Sequence, residues 1–366
     1  MIPINAPQIG EEEIEAVVKV LKSGVLTHSL GAGPMVKKFE EEFAKFVEAR
    51  HAVAVNSGTA ALHMAVMASG VEKGDEVILP SFTFVATAET VVLAGAKPVF
   101  VDINPETYTI SPEEVEKAVT EKTKAIIAVD LYGVPSDMKP LREIADKYGL
   151  KLIEDAAQAH GAIYDGKPIG VYADMACWSF YASKNMTTGE GGMITTNDGE
   201  LAEKLRLIRC HGEQQKYMST IIGHNYRMPE IEAAIGLVQL ERLPSFLAKR
   251  RENAERLTAK LCKAGNLQLP KEQSRCRNSW YLYTAKLKGA SRQKRDTIVE
   301  QLKSKGIGAE IYYPWPIHMM PPYQRFKRLK LTETEKASEQ VFSLPVHPGV
   351  KPEQVNFIAE TVLGLI

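Results

Sequence analysis

Between residues 51 and 196 short apolar or alternating runs recur at a spacing that leaves room for one helix between many of them. The runs are Ala52–Val55, Glu76–Leu79, Pro98–Val101, Ala125–Val129, Leu150–Ile153, Met175–Phe180 and Gly192–Thr195. Helix-length segments separate several of them: Thr59–Ser69, Thr87–Ala94, Pro112–Val119 and Lys139–Tyr148. Strands that alternate with helices build a mainly parallel sheet covered on both faces. That is an α/β architecture. In such sheets ligands bind beyond the carboxyl ends of the strands. Asn56-Ser57-Gly58-Thr59, Pro80-Ser81-Phe82, Asp102, Asp130 and Glu154-Asp155 all fall at those ends.

Helices flank this block. Ile14, Val17, Val18 and Leu21 lie at i, i+3, i+4 and i+7, and Gly24 stops that helix. Residues 25–33 read as a loop, and a second amphipathic helix follows over Val36–Val47. A long helical stretch covers Pro229–Ala264, with Pro244 expected to break or kink it. We expect the domain change there: a large domain over 1–245 and a smaller α+β domain over 246–366. The latter carries helices at Arg292–Ser304, Glu333–Val341 and Pro352–Leu363 and a strand at Tyr281–Lys286.

Composition narrows the function classes. Lys+Arg and Asp+Glu both number 45, so no net charge draws the chain to nucleic acid or an anionic membrane. A phosphate-bearing ligand must be held by local groups. The four cysteines form no CxxC pair and no zinc-finger spacing with histidine. Scattered thiols fit a reducing compartment. The first residues lack a signal peptide's charged and apolar regions, and no apolar run nears the ~18 residues that span a membrane. The expectation is a soluble cytoplasmic protein.

Three segments carry chemistry. In Asn56-Ser57-Gly58-Thr59-Ala60-Ala61-Leu62 a strand ends, a small-residue turn follows and a helix begins. A helix N-terminus offers unpaired N–H groups to a phosphate, although such a turn also serves as a plain N-cap. In Glu154-Asp155-Ala156-Ala157-Gln158-Ala159-His160-Gly161 a carboxylate follows an apolar strand, where burial demands a partner. A pyridinium N–H would supply one. Gln158 and His160 stand near enough in sequence to reach a ring hydroxyl or a substrate, and His160 reads equally as a core histidine. In Trp178-Ser179-Phe180-Tyr181-Ala182-Ser183-Lys184-Asn185, followed by Gly189-Glu190-Gly191-Gly192, a strand delivers a lysine ahead of a glycine-rich return. A lysine beside a cofactor becomes a nucleophile when it is held neutral; alone, it is a surface charge.

Together, and in this order, these segments resemble the fold-type I PLP (pyridoxal 5'-phosphate) aminotransferases, and more narrowly the sugar aminotransferases of the DegT/StrS type. Pro80-Ser81-Phe82-Thr83-Phe84 and Gly223-His224-Asn225-Tyr226-Arg227-Met228 add to the match, which runs from the opening helix to Tyr313-Pro314…Pro316-Ile317-His318. The resemblance implies a seven-stranded sheet and a PLP cofactor in Schiff-base linkage to Lys184, which also shuttles the proton. It implies that Asp155 pairs with the pyridine nitrogen, Gln158 sits near the ring hydroxyl and Phe84 stacks on the ring. Gly58, Thr59 and Ser179 hold the phosphate. Asn225 reaches the phosphate in a neighbouring subunit, so the active site is shared and the homodimer obligatory. His160, Arg227 and His318 are candidate substrate contacts, with Arg227 equally a structural residue.

The implied reaction moves an amino group from glutamate to a nucleotide-linked keto-deoxysugar. A PLP-dependent sugar dehydratase is the alternative chemistry, but related dehydratases carry histidine where this chain has Lys184. A non-catalytic PLP-binding regulatory protein is the other alternative. The loop Leu26-Thr27-His28-Ser29-Leu30-Gly31-Ala32-Gly33-Pro34 departs from the family's usual short form, which leaves sugar specificity open. Arg325, Lys327, Arg328 and Lys330 read as a solvated basic face rather than a diphosphate site.

Overall fold

Seven strands form the central sheet of the computed structural model, which describes every residue of 1–366 except Lys327. They are β1 (His51–Val55), β2 (Glu76–Pro80), β3 (Lys97–Val101), β4 (Thr123–Val129), β5 (Lys151–Asp155), β6 (Met175–Ser179) and β7 (Gly192–Thr196). Their spatial order is β1-β7-β6-β5-β4-β2-β3. Every pair is parallel except those made by β7, which runs antiparallel to both β1 and β6. The reversal follows from the connection: β6 returns directly through the Gly189–Gly191 turn, with no crossover helix. Each strand expected from the apolar runs is present, with ends shifted by a residue or two.

Helices cover both faces. They are α1 (Glu11–Ser23), α2 (Pro34–Phe46), α3 (Gly58–Ala68), α4 (Ala86–Leu93), α5 (Pro112–Ala118), α6 (Met138–Tyr148) and α7 (Gly199–Arg209). The period-2 alternation of side chains divides the core. Ile126, Leu152, Ala176 and Trp178 pack on one side with Phe39, Phe43 and Leu141. Ala125, Ile127, Ile153 and Cys177 pack on the other side with Leu62, Met64 and Val66 of α3. The parity has a functional consequence. Asp155 shares the α3 side with Ile153, whereas Glu154 shares the opposite side with Leu152.

The long helix α8 (Glu230–Leu261) continues through Pro244 without a break. Its first half packs on α1 and α2 and its remainder on α11 (Pro352–Leu363). Packing from both sides offsets the hydrogen bond that proline removes. The C-terminal part holds an antiparallel pair, β8 (Tyr283–Leu287) and β9 (Val341–Leu344), with Leu267–Gln268 on the other edge of β8. Helices α9 (Arg292–Ser304), α10 (Thr332–Gln340) and α11 complete it. Leu257, Leu261, Leu287, Leu302, Phe342 and Ile358 form its core, which Ile2 also joins.

The α1 helix forms as expected, but its apolar stripe faces outward. Ile14, Val18 and Leu21 are exposed, while Glu13 and Val20 are buried. Glu13 is held by Arg242 at 2.6 Å, by Gln239 at 2.7 Å and by the Gly10 N–H at 2.7 Å. Those donors hold its carboxyl below the usual range against the opposing effect of burial. A salt bridge from the buried Glu13 to the partly exposed Arg242 therefore docks the helix and leaves Ile14, Val18 and Leu21 exposed. No described helix is long and apolar enough to cross a membrane.

Candidate active site

A cavity of about 540 Å³ opens at the carboxyl ends of the strands. Ser57 begins one wall: its Oγ accepts from Ala60 N at 3.1 Å and caps α3. Gly58 follows because nothing larger fits. A Cβ there would lie 2.7 Å from Ser179 Cβ, and one on Gly192 would lie 2.4 Å from Ser57 O. The start of α3 thus presses against the end of β6. Ser57, Gly58, Thr59 and Ser179 line the cavity as one cradle whose N–H groups suit a phosphate.

Asp155 stands at the end of β5, 6% exposed. Thr87 Oγ1 donates to its Oδ2 at 2.9 Å, and Ala157 N donates to Oδ1 at 3.3 Å. Burial pushes the carboxyl up, against these two hydrogen bonds and the charge of Lys184. A carboxylate so placed is stabilised by a further cation on its cavity side. Lys184 lies across the cavity, its Nζ 4.8 Å from the centre of the Tyr281 ring. Tyr281 is itself tied to Ser183 Oγ at 2.9 Å. Behind it the buried Arg250 donates to the carbonyls of Trp280 at 3.3 Å and Tyr281 at 3.1 Å.

Gln158 has both ends of its amide occupied. Oε1 accepts from Tyr132 N at 2.8 Å and Nε2 donates to Tyr313 Oη at 3.1 Å. Phe84 lines the mouth, 55% exposed, with its ring 6.1 Å from that of Tyr313. The cavity therefore brings together Gly58, Thr59, Phe84, Asp155, Gln158, Ser179 and Lys184. These residues fit PLP. A phosphate cradle stands at one end, a carboxylate shielded from water can face a ring nitrogen, and a lysine amine points between aromatic walls.

Other expected contacts lie elsewhere. His160 is fully buried, 5.5 Å from Trp178 and 5.7 Å from Phe180 ring to ring, and neither ring nitrogen has a hydrogen-bond partner. Burial holds it down at about 3, and the ring packs in the core rather than lining the cavity. His318 is also buried, with Nδ1 2.7 Å from Ser81 Oγ, where it anchors the end of β2. Arg227 pairs its backbone with Val55 and donates to Cys210 Sγ at 3.3 Å. Asn225 is exposed, bridges to Cys210 through its backbone, and lies outside its own chain's cavity. Asp102 caps α10, accepting from Glu333 N at 2.9 Å and Thr334 N at 2.8 Å. Arg325, Arg328 and Lys330 are exposed and away from the cavity, and Lys327 lies outside the described residues.

Sequence reasoning missed the tyrosines. Tyr281, Tyr312 and Tyr313 form the wall over Lys184, and Thr87 orients Asp155. A Tyr-Tyr pair just before Pro314 was the available signal. Glu190, from the glycine-rich return, also lines the cavity.

On the opposite face of the sheet Glu154 and Asp130 form a buried acid pair. Glu154 Oε2 accepts from Gly170 N at 2.7 Å and Asp130 Oδ1 accepts from Ser136 N at 2.7 Å. Their other oxygens, Glu154 Oε1 and Asp130 Oδ2, have no donor, which one shared proton would satisfy. Burial raises Asp130 to about 6 and Glu154 well above its ordinary value. The folded state thus binds protons that the unfolded chain releases above about pH 4. The pair's stabilisation is complete below that pH and is lost as pH rises through about 6 and beyond. Glu154→Gln is expected to flatten this fall. In thermal melts from pH 5 to pH 8 the variant should lose less stability than the parent, by on the order of 1–3 kcal/mol.

Residues 7–363 match the DegT/DnrJ/EryC1/StrS aminotransferase family. The chain is 43% identical over 351 residues to a pleiotropic regulatory protein of Geobacillus stearothermophilus, covering 94% of this chain and 93% of that one. It is 39% identical over 358 residues to the GDP-perosamine synthase of Caulobacter vibrioides, covering 97% and 95%. Among solved structures, Spr1654 of Streptococcus pneumoniae in its PLP form superposes with a TM-score of 0.94 at 30% identity, over 100% of this chain and 98% of that one. The same protein in its PMP form also gives 0.94. The cavity and these matches agree: the chain belongs to the DegT/DnrJ/EryC1/StrS family of PLP-dependent sugar aminotransferases.

Proposed function

We propose that this enzyme transfers an amino group from glutamate to a nucleotide-linked keto-deoxysugar in amino-sugar biosynthesis. It acts in the cytoplasm as a homodimer whose sites are shared. The observation that carries the chemistry is that Lys184 and Asp155 line the same cavity as the Ser57–Thr59 cradle. PLP, when bound, supplies a carbonyl for the donor amine and an electron sink. The protein supplies the rest. Asp155 keeps a proton on the ring nitrogen. Lys184 Nζ takes the proton from the donor's α-carbon and later delivers one to the acceptor carbon. Thr87 and Ala157 hold Asp155 in place, and Phe84, Tyr281 and Tyr313 exclude water. The name of the Caulobacter relative supports a nucleotide-linked acceptor. The name of the Geobacillus relative raises a regulatory role, but the complete set of Lys184, Asp155 and the α3 cradle favours catalysis. Lys184, in place of histidine, disfavours dehydration.

The test is a panel of nucleotide-linked keto sugars incubated with holoenzyme and glutamate, following 2-oxoglutarate release. Turnover with at least one of them is expected. Release only with free keto acids as acceptors would overturn the substrate assignment.

The dimer reading rests on exposed apolar surface. Ile14, Val18 and Leu21 of α1 and Val25, Leu26 and Leu30 of the following loop are exposed, as are Tyr217 and Ile222 just ahead of Asn225. Unpartnered apolar surface of this kind marks an interface. Asn225→Ala is expected to weaken PLP binding roughly tenfold, as loss of a charge-assisted hydrogen bond implies. Mixed with Lys184→Ala subunits at a PLP concentration too low to load Asn225→Ala, it should give more activity than the sum of the two variants, because one site of each mixed dimer is intact. Mixtures as inactive as their components would show that Asn225 serves its own chain.

A further inference from the structure

The segment Tyr313–Ile317 starts at the cavity and is tied down at both ends. One foot is Tyr313, which lines the cavity and bonds to Gln158 at 3.1 Å. The other is Ile317, whose N–H donates to Ser81 O at 2.9 Å, two residues before the cavity-lining Thr83 and Phe84. Trp315 stands between the feet and is 52% exposed. Arg292, at the start of α9, donates to Pro314 O and lays its guanidinium over the indole, 4.0 Å from the ring centre.

An indole is a costly side chain to leave in water, and Trp is on average highly buried. This one adds nothing to the core clusters. Two other half-exposed aromatic residues, Phe84 and Tyr181, the latter 49% exposed, line the cavity itself. A cavity of about 540 Å³ holds a cofactor and the reacting end of a substrate. The remainder of a nucleotide-linked sugar must then extend past the mouth. It carries a planar base and a diphosphate, and the chain's net charge of zero offers no general attraction to the latter. A stacked Trp–Arg pair meets both needs locally: a π-face for the base, whatever its identity, and a fixed cation beside it.

We propose that Trp315 and Arg292 form the nucleotide subsite, with the base stacking on the free face of the Trp315 indole and Arg292 facing the diphosphate. This inference rests on the nucleotide-sugar reading above. Trp315 acts on substrate affinity alone, since the glutamate half-reaction involves no nucleotide.

The test is calorimetric titration of GDP, UDP and dTDP into PLP-loaded enzyme, with the glutamate half-reaction followed in parallel by the absorbance of the cofactor. At least one nucleoside diphosphate should bind the parent. Trp315→Ala should weaken that binding by roughly ten- to a hundredfold. Trp315→Phe should recover much of it, and Arg292→Gln should weaken it while reducing its salt dependence. Glutamate half-reaction rates should be unchanged throughout, which also shows that the variants fold. Undiminished binding to Trp315→Ala would overturn the subsite and leave the proposed function standing. No binding of any nucleoside diphosphate to the parent would overturn both.

Discussion

Lys184→Ala is expected to lower amino transfer by on the order of 10⁴-fold or more, because nucleophile and proton carrier are lost together. No other described amine lines the cavity to replace it. The fold should survive. The Lys184 side chain is only partly buried, makes no salt bridge within 4.0 Å among the described residues, and contacts the Tyr281 ring. The melting temperature of the apo variant should therefore stay within a few degrees of the parent, as expected for about 1 kcal/mol or less. Two readouts separate the chemical role from a structural one. The bound cofactor should lose the absorbance that marks its link to the protein while remaining bound through the α3 cradle. Added small primary amines should restore part of the rate. A variant that retained both the absorbance and the transfer would place the chemistry at another residue.

Asp155→Asn should cost about 10²–10³-fold in kcat, the scale of removing one oriented electrostatic group from a water-excluded site. Both defined partners of Asp155 are donors, Thr87 Oγ1 and Ala157 N, so the carboxylate has acceptor capacity left for the cavity. An asparagine must use its one oxygen for one of those donors, and its NH₂ cannot hold a proton on a ring nitrogen. The stability effect should have the opposite sign. Burial raises the folded pKa of Asp155, so the apo protein loses stability as pH rises above the carboxylate range. The amide carries no such penalty. Apo Asp155→Asn should melt at or above the parent at pH 8, with the difference vanishing near pH 4. Lost activity with unchanged or increased stability is the signature of a group kept for function. A variant that kept its rate, or fell in stability at pH 8, would assign Asp155 a structural role instead.

Much of this site was legible in the linear chain. Gly58, Asp155 and Lys184 each stand where a strand gives way to a turn, and small residues at such a turn are a local signal. Arg227 and Asn225 were legible only as a resemblance; the exposure of Asn225 outside the cavity agrees with the proposed role toward a second subunit, whereas Arg227 is half-buried. His160 and His318 illustrate the limit. Both occur near cavity-lining residues in sequence, yet both are fully buried, because the chain turns back into the core within a few residues of Gln158 and of Tyr313.

What the sequence alone determined is the α/β plan, the strands of its sheet and the turns that carry Ser57–Thr59, Asp155 and Lys184. Those features arise from period-2 alternation, helix-length spacing and turn chemistry, all of which act over a few residues. Only the tertiary structure decided that Asp155 faces the cavity while Glu154 is buried beside Asp130 on the other side. It also decided that tyrosines 98 and 155 residues from their partners Ser183 and Gln158 close the wall over Lys184. It turned the apolar stripe of α1 outward and let α8 pass through Pro244. The physical reason is common to all of these. Each depends on which distant surfaces pack together, and packing between remote segments leaves no local periodicity in the chain.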